Sequence, residues 1–224
     1  KVQHRGLAET SRGDLDACAL AVSIMGRVFP DFKLGWLVDE IAPHLPKELD
    51  FRHEAENCAR ARKIFERWAD VTVPETFPEV SGGRVLTMSF EEGVNGTARE
   101  AIEADLGLDA RRTARLVTRA FAEMTFSGGH VHCDPHAANV LVRRGPGGAP
   151  HLVILDHGLY RDLDLPFRLE YARLWRALTL ADTAAIKASS HELGVGPLYP
   201  LFAAMLTQRP WDDVANPDMN SLRS

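Results

Sequence analysis

The amino-acid sequence predicts an α+β fold in which helices dominate and strands are short and few. Three observations support this prediction. Apolar residues recur at helical spacing over several long segments, two pairs of short apolar runs resemble paired strands, and the last third of the chain returns to helical spacing. With 224 residues, the chain is long enough for one domain or one large lobe with a substantial core.

The first part of the chain is predicted to be helical. Leu15–Phe29 has apolar residues at helical spacing and Pro30 follows it, while Leu34–Ala42 forms a second helix before Pro43. Lys47–Trp68 is predicted as one long amphipathic helix, with its apolar residues on one side.

Strands are expected in two places. Val71–Glu75 is extended and Arg84–Phe90 alternates after a Gly-Gly turn, so we expect these two segments to pair. Val140–Val142 and Leu152–Leu155 flank the turn sequence Gly-Pro-Gly-Gly, which indicates a β-hairpin.

Helices are also predicted before and after the hairpin. Asp109 is placed to cap a helix over Ala110–Ser127, which Gly128 and the following glycine end. Residues 166–206 are predicted to be helical, with a break near residues 194–197.

Charge and composition limit the classes of protein to which the chain can belong. It has 26 basic and 31 acidic residues, a net charge of −5 and a pI near 6.0, which argue against a nucleic-acid-binding domain. Three cysteines without a C-x-x-C spacing favour a reducing environment. No apolar run approaches the roughly 18 residues that a membrane-spanning helix needs. Because the sequence begins at Lys1 within apparent structure, we expect a piece of a longer protein, with any targeting segment upstream.

The densest polar cluster, residues 130–139, lies in a loop that leads into the predicted hairpin. Asp134 and Asn139 precede the first strand of the hairpin, and Asp156 follows its second strand. A hairpin brings these positions to the same end of the sheet, and loops on a rigid scaffold are where catalytic groups usually lie.

Three interpretations of this cluster remain open from the residues alone. Phosphoryl transfer needs a carboxylate near the attacking hydroxyl, a role that suits Asp134, and oxygen ligands for Mg²⁺, which Asn139 and Asp156 could supply. A zinc site has the right residue types, but the C-x-x-C and H-E-x-x-H spacings are missing. A structural loop would use the same side chains only to cap turns and satisfy backbone groups. The zinc interpretation would draw on His130, His132, Cys133, His136 and His157.

The order and spacing of five residues favour phosphoryl transfer. His132, Asp134 and Asn139 form H-x-D-x-x-x-x-N, and Asp156 and Gly158 form D-x-G about 17 residues later, after an apolar run. This is the catalytic arrangement of protein kinases. Either motif alone is weak, but both in this order, with a hairpin between them, form a strong signal.

Longer segments carry a closer resemblance. The sequences FSGGHVHCDPHAANVLVRR and LVILDHGLYRDL resemble the UbiB/ADCK (AarF-domain) family of atypical kinases, most closely its mitochondrial eukaryotic subgroup with DHG in place of DFG. KELDFRHEAENCARARKIF is similar to the family's E-x-D motif and following helix, and Lys1-Val2-Gln3 looks like the end of its lysine-bearing strand. The resemblance covers almost the whole chain. It implies a protein-kinase-like C-terminal lobe, residues 94–224, joined to a partial N-terminal lobe, residues 1–93.

The resemblance also implies roles for individual residues. Lys1 would hold the α- and β-phosphates and pair with Glu54. Asp134 would be the catalytic aspartate, and Asn139 and Asp156 would bind the metal. The predicted nucleotide-binding set is completed by Glu48 and Asp50, the E-x-D pair, and by His132.

One physical argument is independent of the resemblance. Asp50 and Glu54 are four residues apart, so on a helix they place two like charges on one face. This costs little if each carboxylate has a cationic partner.

The sequence departs from the family pattern at three points. The usual H-P-G-N is His136-Ala137-Ala138-Asn139, His157 replaces the usual Phe of D-x-G, and no A-P-E follows. The loop backbone, the switching of the D-x-G segment and docking of a protein substrate are therefore open to question.

The family resemblance implies an ATP-dependent phosphotransferase or ATPase that uses Mg²⁺ and is linked to isoprenoid-quinone or lipid homeostasis. Its partners would be ATP, a membrane lipid or lipid-like molecule and a protein, but no nucleic acid, and its location the mitochondrion or else a plastid. A choline- or aminoglycoside-type small-molecule kinase and a non-catalytic nucleotide-binding scaffold are the alternatives. We expect these 224 residues alone to be nearly inactive, because half of the nucleotide cleft would be missing.

Overall fold

A computed structural model describes residues 1–29, 35–42 and 49–216 of the chain. The chain forms two compact units. The first consists of residues 1–121 and 132–161, and the second of residues 122–131 together with the chain from residue 162 onwards. These units are not the two lobes that the sequence predicts, which meet between residues 93 and 94. That lobe boundary stays a prediction.

The helices of the first half begin and end at positions that differ from the prediction. Helix α1 is Leu7–Val28, helix α2 is Gly35–Ile41 and helix α3 is Phe51–Ile64. Of the predicted helix Lys47–Trp68, residues 47 and 48 lie outside the described residues, and the described part was too long at both ends. Helix α3 starts where the carboxylate of Asp50 accepts a hydrogen bond from the Arg52 backbone N–H at 3.0 Å, which caps the helix.

The strands form one larger and one smaller sheet. They are β1 (Val71–Thr72), β2 (Val94–Asn95), β3 (His130–His132), β4 (Val140–Arg144), β5 (Pro150–Ile154) and β6 (Tyr160–Asp162). The larger sheet has the order β1-β5-β4-β2, and β3 pairs with β6. The hairpin of β4 and β5 is antiparallel, with Val140 opposite Ile154 and Arg144 opposite Pro150, which confirms the predicted hairpin.

The predicted pairing of the two early strand segments is half right. The backbone of Glu75 accepts a hydrogen bond from Ser89 N–H at 2.8 Å, and Thr76 bridges Met88. However, β1 lies parallel to β5, with Val71 opposite Leu152. Strand β5 is buried along its whole length, so it needs a partner on each side, and a pattern of local alternation does not reveal such a distant partner.

Helix α4 (Ala110–Ala122) leads toward the polar loop. The Asp109 carboxylate accepts a hydrogen bond from the Arg112 backbone N–H at 2.7 Å, so the predicted cap is confirmed. The last turn, Glu123–Gly128, widens to a π-helix, and Gly129 then adopts φ 66°, the left-handed conformation that favours glycine. A further π-helical turn spans Ala101–Asp105, and its Ile102 packs with Leu108 and Val142 in the core of the first unit.

The second unit is a helical cluster. Its helices are α5 (Leu165–Thr179), α6 (Thr183–Glu192) and α7 (Tyr199–Thr207), as predicted for residues 166–206, and α8 (Trp211–Ala215), which lies beyond the predicted range. Asp164 and Asp182 cap α5 and α6 by accepting backbone hydrogen bonds. A short 3₁₀ turn, Gly196–Leu198, forms the predicted break. The buried core of this unit consists of Leu174, Ala177, Leu178, Ile186, Ala203 and Val214.

A helix that crosses a bilayer must be both long and apolar. Within residues 1–29, 35–42 and 49–216, no helix combines the two well enough to cross a membrane.

Candidate active site

Lys1 is held in place by a short antiparallel pairing. The Leu86 backbone N–H donates to Lys1 O at 2.8 Å, and the Lys1 backbone nitrogen donates to Leu86 O at the same distance. Val2 forms an isolated β-bridge with Val85 in the same pairing, and the prediction that Lys1-Val2-Gln3 ends a longer strand stays a prediction. The backbone of Lys1 is thus fixed, and its side chain projects from a defined position.

The side chain of Lys1 pairs with Glu54 of α3, as the sequence predicts. Lys1 Nζ donates to both carboxylate oxygens of Glu54 at 2.9 Å and lies 5.3 Å from the centre of the Phe51 ring. Glu54 is only 3% exposed. Burial raises the pKa of Glu54, and the hydrogen bond from Lys1 partly offsets that increase. The ammonium of Lys1 is therefore what makes a carboxylate tolerable at this buried position.

The same ammonium contacts Asp156 after β5. Lys1 Nζ lies 2.9 Å from Asp156 Oδ2, and the backbone N–H of Gly158 donates to Asp156 Oδ1 at 3.0 Å. Burial opposes ionisation of Asp156, but the hydrogen bonds from Lys1 and Gly158 outweigh it and lower the pKa of this carboxyl. For Lys1, burial is likewise outweighed by the bonds to Asp156 and Glu54, so its pKa is raised. Both shifts favour the charged forms, a carboxylate at Asp156 and an ammonium at Lys1.

Asp134 and Asn139 are joined within the polar loop. Asn139 Nδ2 donates to the backbone oxygen of Asp134 at 3.1 Å and lies 3.4 Å from its Oδ2. The carboxylate of Asp134 is exposed. Since the amide nitrogen of Asn139 is turned toward Asp134, its amide oxygen lies on the other side and can accept from, or coordinate, another group.

The hairpin brings Asn139 and Asp156 to the same end of the sheet. Leu155 N–H donates to Asn139 O at 2.9 Å, which extends the pairing of Val140 with Ile154 by one step. Asp156 is the next residue along the chain. The predicted convergence of the two candidate metal ligands at one hairpin end agrees with this geometry, while their role as ligands stays a prediction.

His132 lies beneath the loop. It is 3% exposed, its Nδ1 accepts the backbone N–H of Asp134 at 3.1 Å, and its ring centre lies 5.1 Å from that of Tyr160. Burial lowers the pKa of His132, against smaller opposing effects of Asp156 and Asp134. The structure thus places His132 where it orients Asp134, and a direct contact of its ring with a nucleotide would require exposure that it does not have.

His157 is locked by hydrogen bonds at both ring nitrogens. It is 0% exposed, and Nε2 and the Ile154 carbonyl oxygen are 2.9 Å apart, so Nε2 carries the proton and donates. Nδ1 then accepts from the Tyr160 hydroxyl at 2.9 Å. Burial lowers the pKa of His157 to about 4. Asn57 Nδ2 also donates to the His157 backbone oxygen at 2.9 Å, which ties the D-x-G segment to α3.

Sequence reasoning missed Asn57 and Tyr160. Asn57 lies three residues after Glu54, so both side chains are on the same face of α3, and this spacing could have revealed it. Nothing in the sequence marks Tyr160, because its partner His157 is itself a departure from the usual motif.

The two residues of the E-x-D pair differ in what the structure says of them. Glu48 lies outside the described residues. Asp50 is the N-terminal cap of α3, and its carboxylate binds a backbone N–H of the first helical turn. The argument that Asp50 and Glu54 place two like charges on one helical face was therefore wrong. Asp50 precedes the helix, and only Glu54 lies within it.

The histidines of the zinc interpretation are engaged in other contacts. His130 Nδ1 lies 2.8 Å from Asp162 Oδ1, and both nitrogens of His157 bind protein groups. In the described part of the chain, no three His, Cys, Asp or Glu side chains form a group able to hold a metal ion. The candidate magnesium pair consists of one amide and one carboxylate, Asn139 and Asp156.

Comparison with known proteins decides the family. A family model described as an ABC1 atypical kinase-like domain matches residues 1–190. The chain belongs to this family. AarF domain-containing kinase 1 of Drosophila melanogaster is 41% identical over 96% of the chain and 41% of the relative, and an ABC1 protein of Arabidopsis thaliana, At2g40090, is 42% identical over 99% of the chain and 44% of the relative. The chain thus spans less than half the length of these ABC1 relatives.

A solved structure supports the fold. The Mycobacterium tuberculosis protein Rv3197, solved in complex with erythromycin, has a TM-score of 0.66 and 24% identity, over 93% of this chain and 52% of that one. This similarity and the ABC1 match confirm the predicted protein-kinase-like fold. Membership of the ABC1 family supports an atypical kinase-like function, and it agrees with the resemblance found in the sequence.

Proposed function

We propose that this chain provides the ATP-handling residues of an ABC1-family phosphotransferase or ATPase. The observation on which the proposal rests is the position of one ammonium group. Lys1 Nζ lies 2.9 Å from carboxylate oxygens of both Glu54 and Asp156, three residues that are far apart in the sequence. A lysine held by a helix glutamate beside the D-x-G aspartate is the arrangement that positions nucleotide phosphates in protein kinases.

The buried glutamate gives Lys1 its function in this proposal. Glu54 contributes two hydrogen bonds to Nζ, which limits the rotation of a side chain that otherwise has many rotamers. The ammonium is thereby held ready for the α- and β-phosphates of ATP. When phosphate oxygens arrive, they would share the donors of Nζ that now bind Asp156.

The donor set at the hairpin end fits Mg²⁺. Asp156 already faces one cation, the Lys1 ammonium, and Asn139 offers an amide oxygen on the side away from Asp134. Carboxylate and amide oxygens are the hard ligands that Mg²⁺ takes. Asn139 and Asp156 would hold the ion, which when bound would neutralise phosphate charge.

Asp134 would act on the group that attacks the phosphate. Its carboxylate is exposed and its backbone is tied to His132 and Asn139, so it is oriented without being enclosed. An aspartate in this position accepts the proton of a hydroxyl or orients a water molecule. Phosphotransfer and hydrolysis of ATP would thus use the same residues and differ only in the acceptor.

The acceptor and setting that we propose follow from the family resemblance. The acceptor or regulator would be a membrane lipid or a lipid-like molecule of the isoprenoid-quinone class, and an additional protein would take part. The site of action would be the mitochondrion, with a plastid as the alternative.

The test is ATP hydrolysis by the full-length protein with and without Mg²⁺, in the presence and absence of liposomes. We expect Asp156→Asn to lower the Mg²⁺-dependent rate by about a hundredfold or more. Asp105→Asn, which alters an exposed carboxylate on the π-helical turn, should leave the rate unchanged. Equal rates for the wild type and Asp156→Asn would show that Asp156 has no metal-binding role. Residues 1–224 alone should hydrolyse ATP only weakly.

A further inference from the structure

Helix α4 is strongly basic in an acidic chain. The whole chain has a net charge of −5, yet the segment Ala110–Ala122 contains four arginines and no acidic residue. Its buried side consists of Thr113, Leu116 and Ala120, so the arginines occupy the exposed side. This concentration of positive charge is a local feature of one helix.

Three of these arginines line a concave site, which we call the arginine pocket. One side is formed by α4, with Arg112, Arg115 and Arg119 beside Leu116, and the other by Asp70, Ala149 and Pro150, the first residue of β5. Its volume is about 230 Å³. The pocket is therefore a half-open hollow with room for one small group.

Arg119 is held in position at the pocket wall. Its guanidinium lies 4.0 Å from the centre of the Trp68 ring and 3.7 Å from the Asp70 carboxylate. Asp70 is itself fixed, because its backbone oxygen accepts the Leu152 N–H at 2.9 Å. The negative charge of Asp70 is thus directed at Arg119, and the aromatic face of Trp68 adds a cation–π contact.

Arg112 and Arg115 have no such compensation. In residues 1–29, 35–42 and 49–216, neither guanidinium has a carboxylate within ion-pair distance. They lie three residues apart on one helical face, where like charges repel. With Asp70 matched to Arg119, the pocket retains the positive charge of two arginines.

We propose that the arginine pocket binds a phosphate group. The planar guanidinium fork matches phosphate oxygens in a bidentate manner, and a dianionic phosphate would balance the two uncompensated arginines. The hollow shape suits a single compact anion. The phosphate could belong to a soluble molecule or to the headgroup of a phospholipid.

This site is separate from the candidate active site. None of the residues that line the arginine pocket contributes to the contacts among Lys1, Glu54, Asp134 and Asp156. The proposal therefore stands or fails independently of ATP hydrolysis.

The test measures phosphate binding to the full-length protein at constant ionic strength. Inorganic phosphate and glycerol 3-phosphate are titrated by calorimetry against the wild type and the double variant Arg112→Gln/Arg115→Gln. We expect the double variant to bind at least about tenfold more weakly, because each charge-assisted contact is lost. Arg111→Gln removes a charge from the same helix outside the pocket and should bind like the wild type.

A second arm uses phosphatidylcholine vesicles with and without phosphatidate. Arginine-dependent binding to soluble phosphate supports a soluble ligand, and arginine-dependent binding only to phosphatidate vesicles supports a lipid headgroup. The double variant Arg112→Lys/Arg115→Lys keeps both charges but lacks the planar guanidinium groups, so we expect it to bind phosphate with intermediate affinity. It replaces the glutamine variant in the comparison if that variant does not fold. Absence of binding to every probe, or equal binding by wild type and folded double variants, would overturn the proposal.

Discussion

The buried histidine of the D-x-G segment should make stability depend on pH in a defined interval. His157 is fully buried, and its pKa is lowered from 6.5 to about 4. Above pH 6.5 the ring is neutral in folded and unfolded chains alike, so its full contribution to the free energy of unfolding is present. Between pH 6.5 and pH 4 only the unfolded chain takes up the proton, so the free energy of unfolding falls as the pH falls. The loss is ~1.4 kcal/mol per pH unit, about 3 kcal/mol in total.

The assay compares urea unfolding at pH 7 and pH 5 in metal-free buffer. Over this interval His157 should account for about 2 kcal/mol of lost stability in the wild type. His157→Phe keeps a ring but cannot titrate, so that part of the pH dependence should disappear, although the variant is less stable throughout because the Tyr160 hydroxyl loses its partner. Exposed His4→Asn should keep the wild-type dependence. Identical pH dependence in the wild type and His157→Phe would refute the reasoning.

Three further predictions concern stability and reactivity. Lys1→Met should lower the free energy of unfolding by about 3 kcal/mol, because buried Glu54 loses its ammonium partner; a loss below about 1 kcal/mol in urea unfolding would contradict that role. Asp182→Ala should cost about 1 kcal/mol in the same assay through loss of the α6 cap, and the matched Asn variant should recover most of it. Cys58 is 1% exposed and burial raises the pKa of its thiol to about 12, so iodoacetamide at pH 8 should modify exposed Cys18 first and Cys58 only after unfolding. Mass spectrometry measures both modification rates, and equal rates for Cys18 and Cys58 in the folded chain would argue against the burial of Cys58.

Local chemistry allowed much of the fold to be predicted. The cap at Asp109, the helix end at Gly128 and Gly129 and the hairpin between β4 and β5 each depend on residues close together in the chain, and the structure confirms all three. Longer-range choices were less accessible. The place of β1 beside β5 depends on the burial of β5 from both sides, which local alternation does not show.

The candidate site likewise contains contacts that the sequence predicts and contacts that it does not. The pairing of Lys1 with Glu54 could be predicted from the family resemblance, and the position of Asp156 from the order of the motifs around the hairpin. The hydrogen bonds of His157 could not, since they depend on where the Tyr160 hydroxyl and a β5 carbonyl lie in space.

The parallel position of β1 also bears on the order in which the molecule assembles. Strand β5 has one neighbour, β4, across a short turn, and another, β1, about 80 residues earlier in the chain. Closing a long loop loses more chain entropy than closing a turn, so the hairpin can form first and the Val71–Leu152 pair must wait for distant parts of the chain to meet. Amides at the β1 edge should therefore gain protection from solvent exchange later than those between β4 and β5.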